Sequence, residues 1–88
     1  MGYKVNYTTR AMKILQKMDN YDRNYIEKWI RDHLIGCIDP RKYGKNLVGS
    51  HTGMWRYRAG NYRIITEIND KEVIILVVKV GHRKDVYK

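Results

Sequence analysis

The chain has 88 residues and a net charge of +9, with 18 Lys and Arg against 9 Asp and Glu. This length predicts one domain, residues 1–88, with a single core and no room for a second module. The lone cysteine, Cys37, excludes an internal disulfide and a zinc site built from thiolates. No signal peptide is visible and the longest apolar run, Val73–Val78, is too short to cross a bilayer, so we expect a cytoplasmic protein without membrane contacts.

The first half of the chain predicts one strand and two helices. Tyr3–Tyr7 alternates between apolar and polar residues, which is typical of a short strand. Thr8 or Thr9 is the expected N-cap of a first helix, whose apolar face repeats at helical spacing through Ala11, Ile14, Leu15 and Met18. A second helix is predicted from about Tyr21 to Leu34, with Gly36 as its stop and an inner side formed by Tyr25 or Ile26, Trp29, Ile30, His33 and Leu34.

The second half predicts strands joined by turns. Residues 35–53 form a long irregular segment with room for a short strand or turn near Asn46-Leu47-Val48. After a hairpin, Asp70-Lys71 predicts a second tight turn, and Glu72–Val80 is an almost continuous apolar run typical of a central strand. The last eight residues, 81–88, are expected to form a polar tail.

The hairpin itself is the most informative stretch. Apolar and basic residues alternate on both sides of Gly60-Asn61, which is typical of a two-residue hairpin tip. With that tip, Arg58 lies directly opposite Arg63, and both share one face with Arg56. A like-charge pair across two strands costs stability, so this face is a candidate functional surface that binds an anion.

Together these elements predict an α+β fold of two layers. An N-terminal strand, a two-helix hairpin and a three-stranded antiparallel meander form one sheet, with both helices on one face. Trp55 and Tyr57 are expected to face the helices. The three hairpin arginines are then expected to lie exposed on the open face.

The charge distribution points to a polyanionic partner. Residues 41–88 contain eleven Lys and Arg against four Asp and Glu, a balance of +7 that implies nucleic acid or an acidic protein. Guanidinium groups bind phosphate oxygens bidentately, so the arginines favour a phosphate site over a merely solvated basic face. The members of this set are Arg56, Arg58, Arg63 and Arg83.

Other chemistries find little support. Five of the nine acidic residues fall around the helices and their ends: Asp19, Asp22, Glu27, Asp32 and Asp39. No glycine-rich phosphate loop precedes a helix and no metal-ligand spacing appears, so no metal or other cofactor is expected. His33 is interpreted as a core-edge residue, whereas His51 and His82 are candidate acids or bases because histidine titrates near neutral pH. Tyr87 is either a residue that docks the tail or a platform for a nucleobase.

These motifs resemble a known family. The Arg56–Arg63 hairpin, the Glu72–Val80 strand and the ending Gly81-His82-Arg83 with Val86-Tyr87 are similar to the RelE/ParE superfamily, the toxins of type II toxin–antitoxin pairs. The resemblance is closer to the RelE branch, whose members cut messenger RNA in the ribosomal A site, than to the ParE branch, which inhibits DNA gyrase. It implies a RelE-like fold and metal-independent cleavage, in which the 2′-hydroxyl of the RNA attacks the adjacent phosphate and leaves a 2′,3′-cyclic phosphate.

The resemblance also implies roles for individual residues. Arg56 and Arg58 fall where RelE has two lysines on the first hairpin strand, and Arg56 is poorly suited as a general base because guanidinium stays protonated. His82 or His51 is the candidate substitute, while Arg58 and Arg63 would stabilise the charged transition state. The full set of implied catalytic residues is Arg56, Arg58, Arg63, Arg83, Tyr87 and His82, and Lys45, His51 and Lys84 are predicted to bind RNA.

Three functions follow as hypotheses. The first is a ribosome-dependent messenger-RNA endoribonuclease whose partners are the ribosomal A site, the messenger RNA and a cognate antitoxin that keeps it inactive. The second is a ParE-like gyrase inhibitor without nuclease activity. The third is a basic RNA-binding module without enzymatic activity.

Overall fold

The computed structural model describes residues 2–49 and 52–86, which form two helices and five strands. In chain order the elements are β1 (Lys4–Tyr7), α1 (Thr9–Lys17), α2 (Asn20–His33), β2 (Lys45–Asn46), β3 (Trp55–Ala59), β4 (Tyr62–Asn69) and β5 (Ile74–His82). The predicted α+β fold is confirmed.

The described strands form one mixed sheet in the order β1-β5-β4-β3-β2. The predicted meander of β3, β4 and β5 is antiparallel throughout, and β1 joins its edge by pairing parallel to β5. At the other edge, the two-residue β2 pairs antiparallel with β3, with Lys45 opposite Arg56. The short strand therefore begins one residue before the predicted position near Asn46-Leu47-Val48.

The predicted N-cap of α1 and the predicted glycine after α2 are both observed. The Thr8 hydroxyl accepts a hydrogen bond from the backbone N–H of Ala11 at 3.1 Å, so Thr8 rather than Thr9 is the N-cap of α1. After α2, Gly36 adopts a φ of +79°, a left-handed conformation that favours glycine. Its backbone N–H donates to the Tyr3 carbonyl at 2.9 Å, which ties the end of the helical layer to β1.

The core lies between the helices and one face of the sheet. Ala11 and Leu15 of α1 and Ile26 and Ile30 of α2 pack against buried side chains of the three longest strands. The buried strand and loop members of this cluster are Leu34, Tyr57, Ala59, Ile64, Ile75, Val77 and Val80. Tyr25, the alternative to Ile26 in the predicted inner side of α2, is 47% exposed and lies outside the core.

The predicted hairpin register is confirmed. Tyr57 pairs with Ile64, and Arg58 pairs with Arg63 across the Gly60-Asn61 tip. Tyr57 faces the helices as expected, because its ring lies 5.7 Å from that of Trp29 on α2. A two-residue connection and a period-two pattern leave only one register that buries the apolar side chains.

The second predicted turn and the strand after it differ from the expectation in detail. The connection spans residues 70–73, with Val73 at a φ of +59°, and the Asn69 side chain accepts a hydrogen bond from the Glu72 N–H at 3.0 Å. This side-chain contact builds a wider turn than the two residues predicted, so β5 begins at Ile74. A register shift next to Ile65 and Thr66 leaves Val78 as the extra residue of a β-bulge.

The C-terminal segment is not the polar tail that the sequence predicts. Gly81 and His82 continue β5, and the turn that follows buries Val86 to 1% exposure. A Cβ on Gly81 would lie 3.2 Å from Val86, so the chain returns over the end of its own strand. A single valine among charged residues gives no periodic signal, which is why the pattern did not predict this contact.

The irregular segment before β2 is fixed to the sheet by two hydrogen bonds, and its backbone lies close to β3 at Gly44. The Tyr57 hydroxyl donates to the Pro40 carbonyl, and the Trp55 Nε1–H donates to the Tyr43 carbonyl at 2.7 Å. Burial raises the pKa of Tyr57, which keeps its hydroxyl protonated as a donor. At Gly44 the backbone has a φ of +82°, and a Cβ there would lie 2.2 Å from the carbonyl oxygen of Arg56.

The same segment is tied to the β4–β5 turn through Asp70, and this contact predicts a pH dependence. Arg41 donates to both Asp70 oxygens at 3.0 and 3.1 Å, and the Tyr3 hydroxyl donates at 2.7 Å. These donors, Arg41 foremost, lower the pKa of Asp70 from its ordinary value of 3.8. The stabilisation is therefore present above pH 3.8 and is lost as the pH falls through the lower folded-state value.

Thermal melting of the parent and of Asp70→Asn across this pH range checks the expectation. The parent is expected to melt higher near neutral pH, and the difference between the two is expected to close below pH 3.8. A difference that stays constant down to the acid limit would show that the carboxylate charge is not what ties the segment to the turn.

Within residues 2–49 and 52–86, neither α1 nor α2 is long and apolar enough to span a bilayer.

Candidate functional site

Basic side chains line the sheet face opposite the helices. In one row across four strands, Lys45 pairs with Arg56, Arg56 with Ile65, and Ile65 with Lys79. Directly paired residues project to the same face of a sheet, so three cations lie in one line with a single isoleucine between them. Ile65 is 2% exposed and lies outside the helix-side core, so this face is partly covered.

A second row lies next to the first, nearer the hairpin tip. Arg58 pairs with Arg63, and Arg63 pairs with Gly81 on β5. We call the five cations of the two rows, Lys45, Arg56, Arg58, Arg63 and Lys79, the basic face. Neither row contains an acidic side chain.

The two paired arginines differ in exposure. Arg58 is exposed, and its side chain makes no hydrogen bond or ion pair with another residue of the described ranges. Arg63 is only 9% exposed and its Nη1 lies 3.4 Å from the Tyr62 carbonyl, so the expectation that it lies open on the face is wrong. Its neighbour across the strands is Gly81, over which Val86 folds, and this local cover was not visible in the pattern.

Arg83 and Lys84 lie in the turn after β5, and both are exposed. The Arg83 backbone N–H donates to the Asn61 carbonyl at 2.9 Å, which fixes this turn beside the tip of the hairpin. The fold therefore brings Arg83 to the same end of the sheet as Arg58 and Arg63.

His82 is not brought to the basic face. It pairs with Tyr62, and the two rings lie 5.8 Å apart in a T-shaped contact. The Tyr62 hydroxyl donates to Asp22 of α2 at 2.8 Å, which places this pair on the helix side of the sheet. Alternation along β5 explains the result, because His82 follows Gly81, which belongs to the basic-face row.

Two of the predicted site residues, His51 and Tyr87, lie outside the described residues. Their catalytic and RNA-binding roles stay predictions. Cys37 is half-buried, and burial raises the pKa of its thiol.

Lys79 is the member of the basic face that sequence reasoning missed. Partial burial first, and the charge of Arg10 second, lower the pKa of its amine. The sequence signal that could have found it is the single charged residue in the apolar run of β5. A strand covered on both faces would not carry a lysine there, so this charge indicates an open face.

The described residues offer no metal site, since no three His, Cys, Asp or Glu side chains among them lie close enough to share an ion.

The sequence and fold match a known family of toxins. A family model described as the ParE toxin of type II toxin–antitoxin system, parDE, matches residues 5–87, almost the whole chain. The chain belongs to the RelE/ParE toxin superfamily. The resemblance inferred from the hairpin and the last strand is thereby confirmed.

Individual relatives of this toxin agree with the family assignment. Toxin RelG of Mycobacterium tuberculosis is 29% identical over 90 residues, which cover 100% of this chain and 99% of RelG. Among solved structures, a chain of the toxin–antitoxin complex RelBE2 from M. tuberculosis has 27% identity and a TM-score of 0.82, with 97% of this chain and 95% of that chain covered. A chain of the archaeal RelE–RelB complex from Pyrococcus horikoshii has 28% identity and a TM-score of 0.73, with coverage of 98% and 100%.

Proposed function

We propose that this toxin is a metal-independent endoribonuclease that cuts messenger RNA on the ribosome. The observation that carries the proposal is the pairing of Arg58 with Arg63 in the row of the basic face nearer the hairpin tip. Two guanidinium groups on adjacent strands repel each other, and an anion bound between them would turn this repulsion into attraction. A phosphate of the RNA backbone has the charge and the acceptor oxygens to do so.

The proposed reaction uses the RNA as its own nucleophile. The 2′-hydroxyl attacks the adjacent phosphate and the 5′-oxygen of the next nucleotide leaves, which gives a 2′,3′-cyclic phosphate and a 5′-hydroxyl. Negative charge builds up on the phosphate oxygens during the attack, and Arg58 and Arg63 would stabilise it with donors that are already in position. The buried position of Arg63 strengthens such an interaction because less water screens it.

The proposal assigns the proton transfers to residues other than the arginines. Lys79 is a candidate general base, since its pKa is lowered and it lies in the same row as Arg56. His82 lies on the helix side with Tyr62, so Lys79 replaces it in this role. Arg83 and Lys84 stay proposed contacts of the RNA at the hairpin end of the face. His51 and Tyr87, outside the described residues, stay proposed contacts without a position.

A cognate antitoxin is the second proposed partner. Two of the similar solved structures are complexes described as toxin–antitoxin and RelE–RelB, respectively. A net charge of +9 with five cations on one face favours an acidic protein that covers them between rounds of activity. Co-expression with the neighbouring gene of the operon should give a stable complex, whereas a toxin purified alone in high yield from healthy cells would contradict this partnership.

Expression in cells without antitoxin tests the nuclease. We expect translation to stop within minutes, together with transcripts cut inside their reading frames and ending in 2′,3′-cyclic phosphates. A growth arrest that leaves transcripts intact would contradict the proposal.

The alternative function, gyrase inhibition, is supported by the description of the matching family model, which names a ParE toxin. A ParE-like gyrase inhibitor would cause DNA breaks and filamentous cells and would leave messenger RNA uncut. The third hypothesis, a binding module without activity, would show no growth effect in the same experiment.

A further inference from the structure

Three aromatic rings meet at the edge of the sheet, beside the basic face. Trp29 and His33 of α2 stack with ring centroids 4.4 Å apart and an angle of 16° between their planes. Tyr43 stands almost perpendicular to His33 at 5.1 Å and lies 6.3 Å from Trp29. The spacing of four residues along α2 places the first two rings one above the other.

The local structure holds these rings in place. The His33 Nδ1 lies 2.8 Å from the Trp29 carbonyl, and because a carbonyl can only accept, this nitrogen carries a proton and the ring is fixed. The Tyr43 backbone is held by the hydrogen bond from Trp55, and the turn behind it needs the left-handed conformation of Gly44. A site whose walls are fixed before binding loses less entropy when a ligand enters.

The rings line a pocket together with members of the basic face. The pocket has a volume of about 400 Å³, and its polar walls are supplied by Lys45, Arg56 and Arg58. None of its lining residues is acidic. Because Arg56 and Arg58 belong to both surfaces, the pocket and the proposed cleavage site form one continuous path.

We propose that this aromatic pocket binds one nucleotide of the RNA, next to the phosphate held by the arginine pair. The base would contact Trp29, His33 and Tyr43, and Lys45 and Arg58 would hold its phosphate. Aromatic rings beside cations are the combination that binds single-stranded nucleic acid, since every base has a flat face that can stack. His33 Nε2, the ring nitrogen that is not bonded to the Trp29 carbonyl, would accept a hydrogen bond from the amino group of a base.

This inference rests on the proposed function, because it assumes that the bound polyanion is RNA. An acidic segment of a protein partner is the competing occupant of a cationic pocket. The stacked ring pair favours RNA, since carboxylate side chains would gain from the cations but little from the rings.

The test measures binding separately from cleavage. The full chain is titrated against a fluorescent single-stranded hexanucleotide with 2′-fluoro sugars, which has no 2′-hydroxyl and cannot be cut by the proposed reaction. The first variant is Tyr43→Ala, because the Tyr43 side chain is 40% exposed and the contact that anchors this segment is its backbone carbonyl. The second is His33→Ala, and melting curves of both variants confirm that they fold.

We expect Tyr43→Ala and His33→Ala each to weaken hexanucleotide binding about tenfold or more, as the loss of a stacking platform does. Tyr43→Phe keeps the ring and should retain most of the affinity. The matched control is Tyr21→Ala, since Tyr21 is 76% exposed on α2 but does not line the pocket. It should bind as the parent does.

Two results would overturn the inference. In one, the parent fails to bind the hexanucleotide, or Tyr43→Ala binds it as tightly as the parent. In the other, Tyr43→Ala weakens binding of the copurified antitoxin and leaves RNA binding unchanged, which would identify the pocket as a protein contact. Transcript cutting in cells decides the proposed function separately, so a failed pocket and a failed nuclease give different outcomes.

Discussion

Arg58→Ala is expected to lower the rate of transcript cleavage about a hundredfold or more, the usual loss when one donor aimed at a developing charge is removed. The fold should not suffer. Arg58 is exposed, its side chain makes no hydrogen bond or ion pair within the described ranges, and it lies opposite a like charge. Removing such a repulsion is worth up to about 1 kcal/mol, so the variant should melt at the parental temperature or slightly above. Cleavage of a defined messenger RNA on purified ribosomes, together with thermal melting, measures both effects.

Lys13→Ala is the matched control for charge. Lys13 is an exposed cation on α1, in the helical layer on the other side of the sheet, and its loss should leave the cleavage rate unchanged. If Arg58→Ala cuts at the parental rate, the arginine pair is not the reaction site. If Arg58→Ala unfolds, the side chain has a structural role that its exposure does not show.

Gly44→Ala, which adds one methyl group to the wall of the pocket, is expected to cause a large loss of stability. A Cβ at this position would lie 2.2 Å from the Arg56 carbonyl and 2.8 Å from the Trp55 Nε1, and the backbone has a φ of +82°. The left-handed conformation alone costs an alanine about 1–3 kcal/mol. The clash with the backbone of β3 adds to this, so the free energy of unfolding should fall by more than about 2 kcal/mol in urea denaturation.

Gly36→Ala separates the two contributions to that loss. Gly36 has nearly the same φ, +79°, but a Cβ there has no neighbour within 4 Å. It should therefore show the conformational cost without the clash, and the difference between the two variants gives the cost of crowding β3. Equal losses would mean that the segment moves aside freely and that the pocket wall is not rigid.

The hairpin and its paired arginines were predictable because their signal is local. Two tip residues and a period-two pattern determine which side chains face each other, and the observed register is the predicted one. The order of the elements was equally readable, since helical and strand periods differ. These patterns do not show how deeply an individual side chain is buried. Arg63 is covered beside Gly81 and Val86, and that cover depends on a turn distant in sequence.

Lys79 and the aromatic pocket were not predicted, because their positions depend on the tertiary structure. Lys79 was missed because it lies within an apolar run. The strand was correctly predicted there, but the pattern did not show which of its side chains face away from the helices. The aromatic pocket combines a ring pair from α2 with Tyr43 from a segment that has no periodicity, so only the tertiary structure brings them together. Its anchors are a backbone carbonyl and a glycine conformation, and neither is specified by side-chain pattern.

The pairing of β1 with β5 has a consequence for the order of events during synthesis. The first strand made pairs with the last, and the Thr8 hydroxyl that follows β1 bonds the Val78 carbonyl across 70 residues of chain. While a ribosome is still translating β5, β1 has no partner and the basic face lacks Lys79. Such distant pairing is slow to form, since the whole intervening chain must be brought together first. The basic face is therefore complete only after β5, which carries Lys79, has been synthesised and has paired with β4.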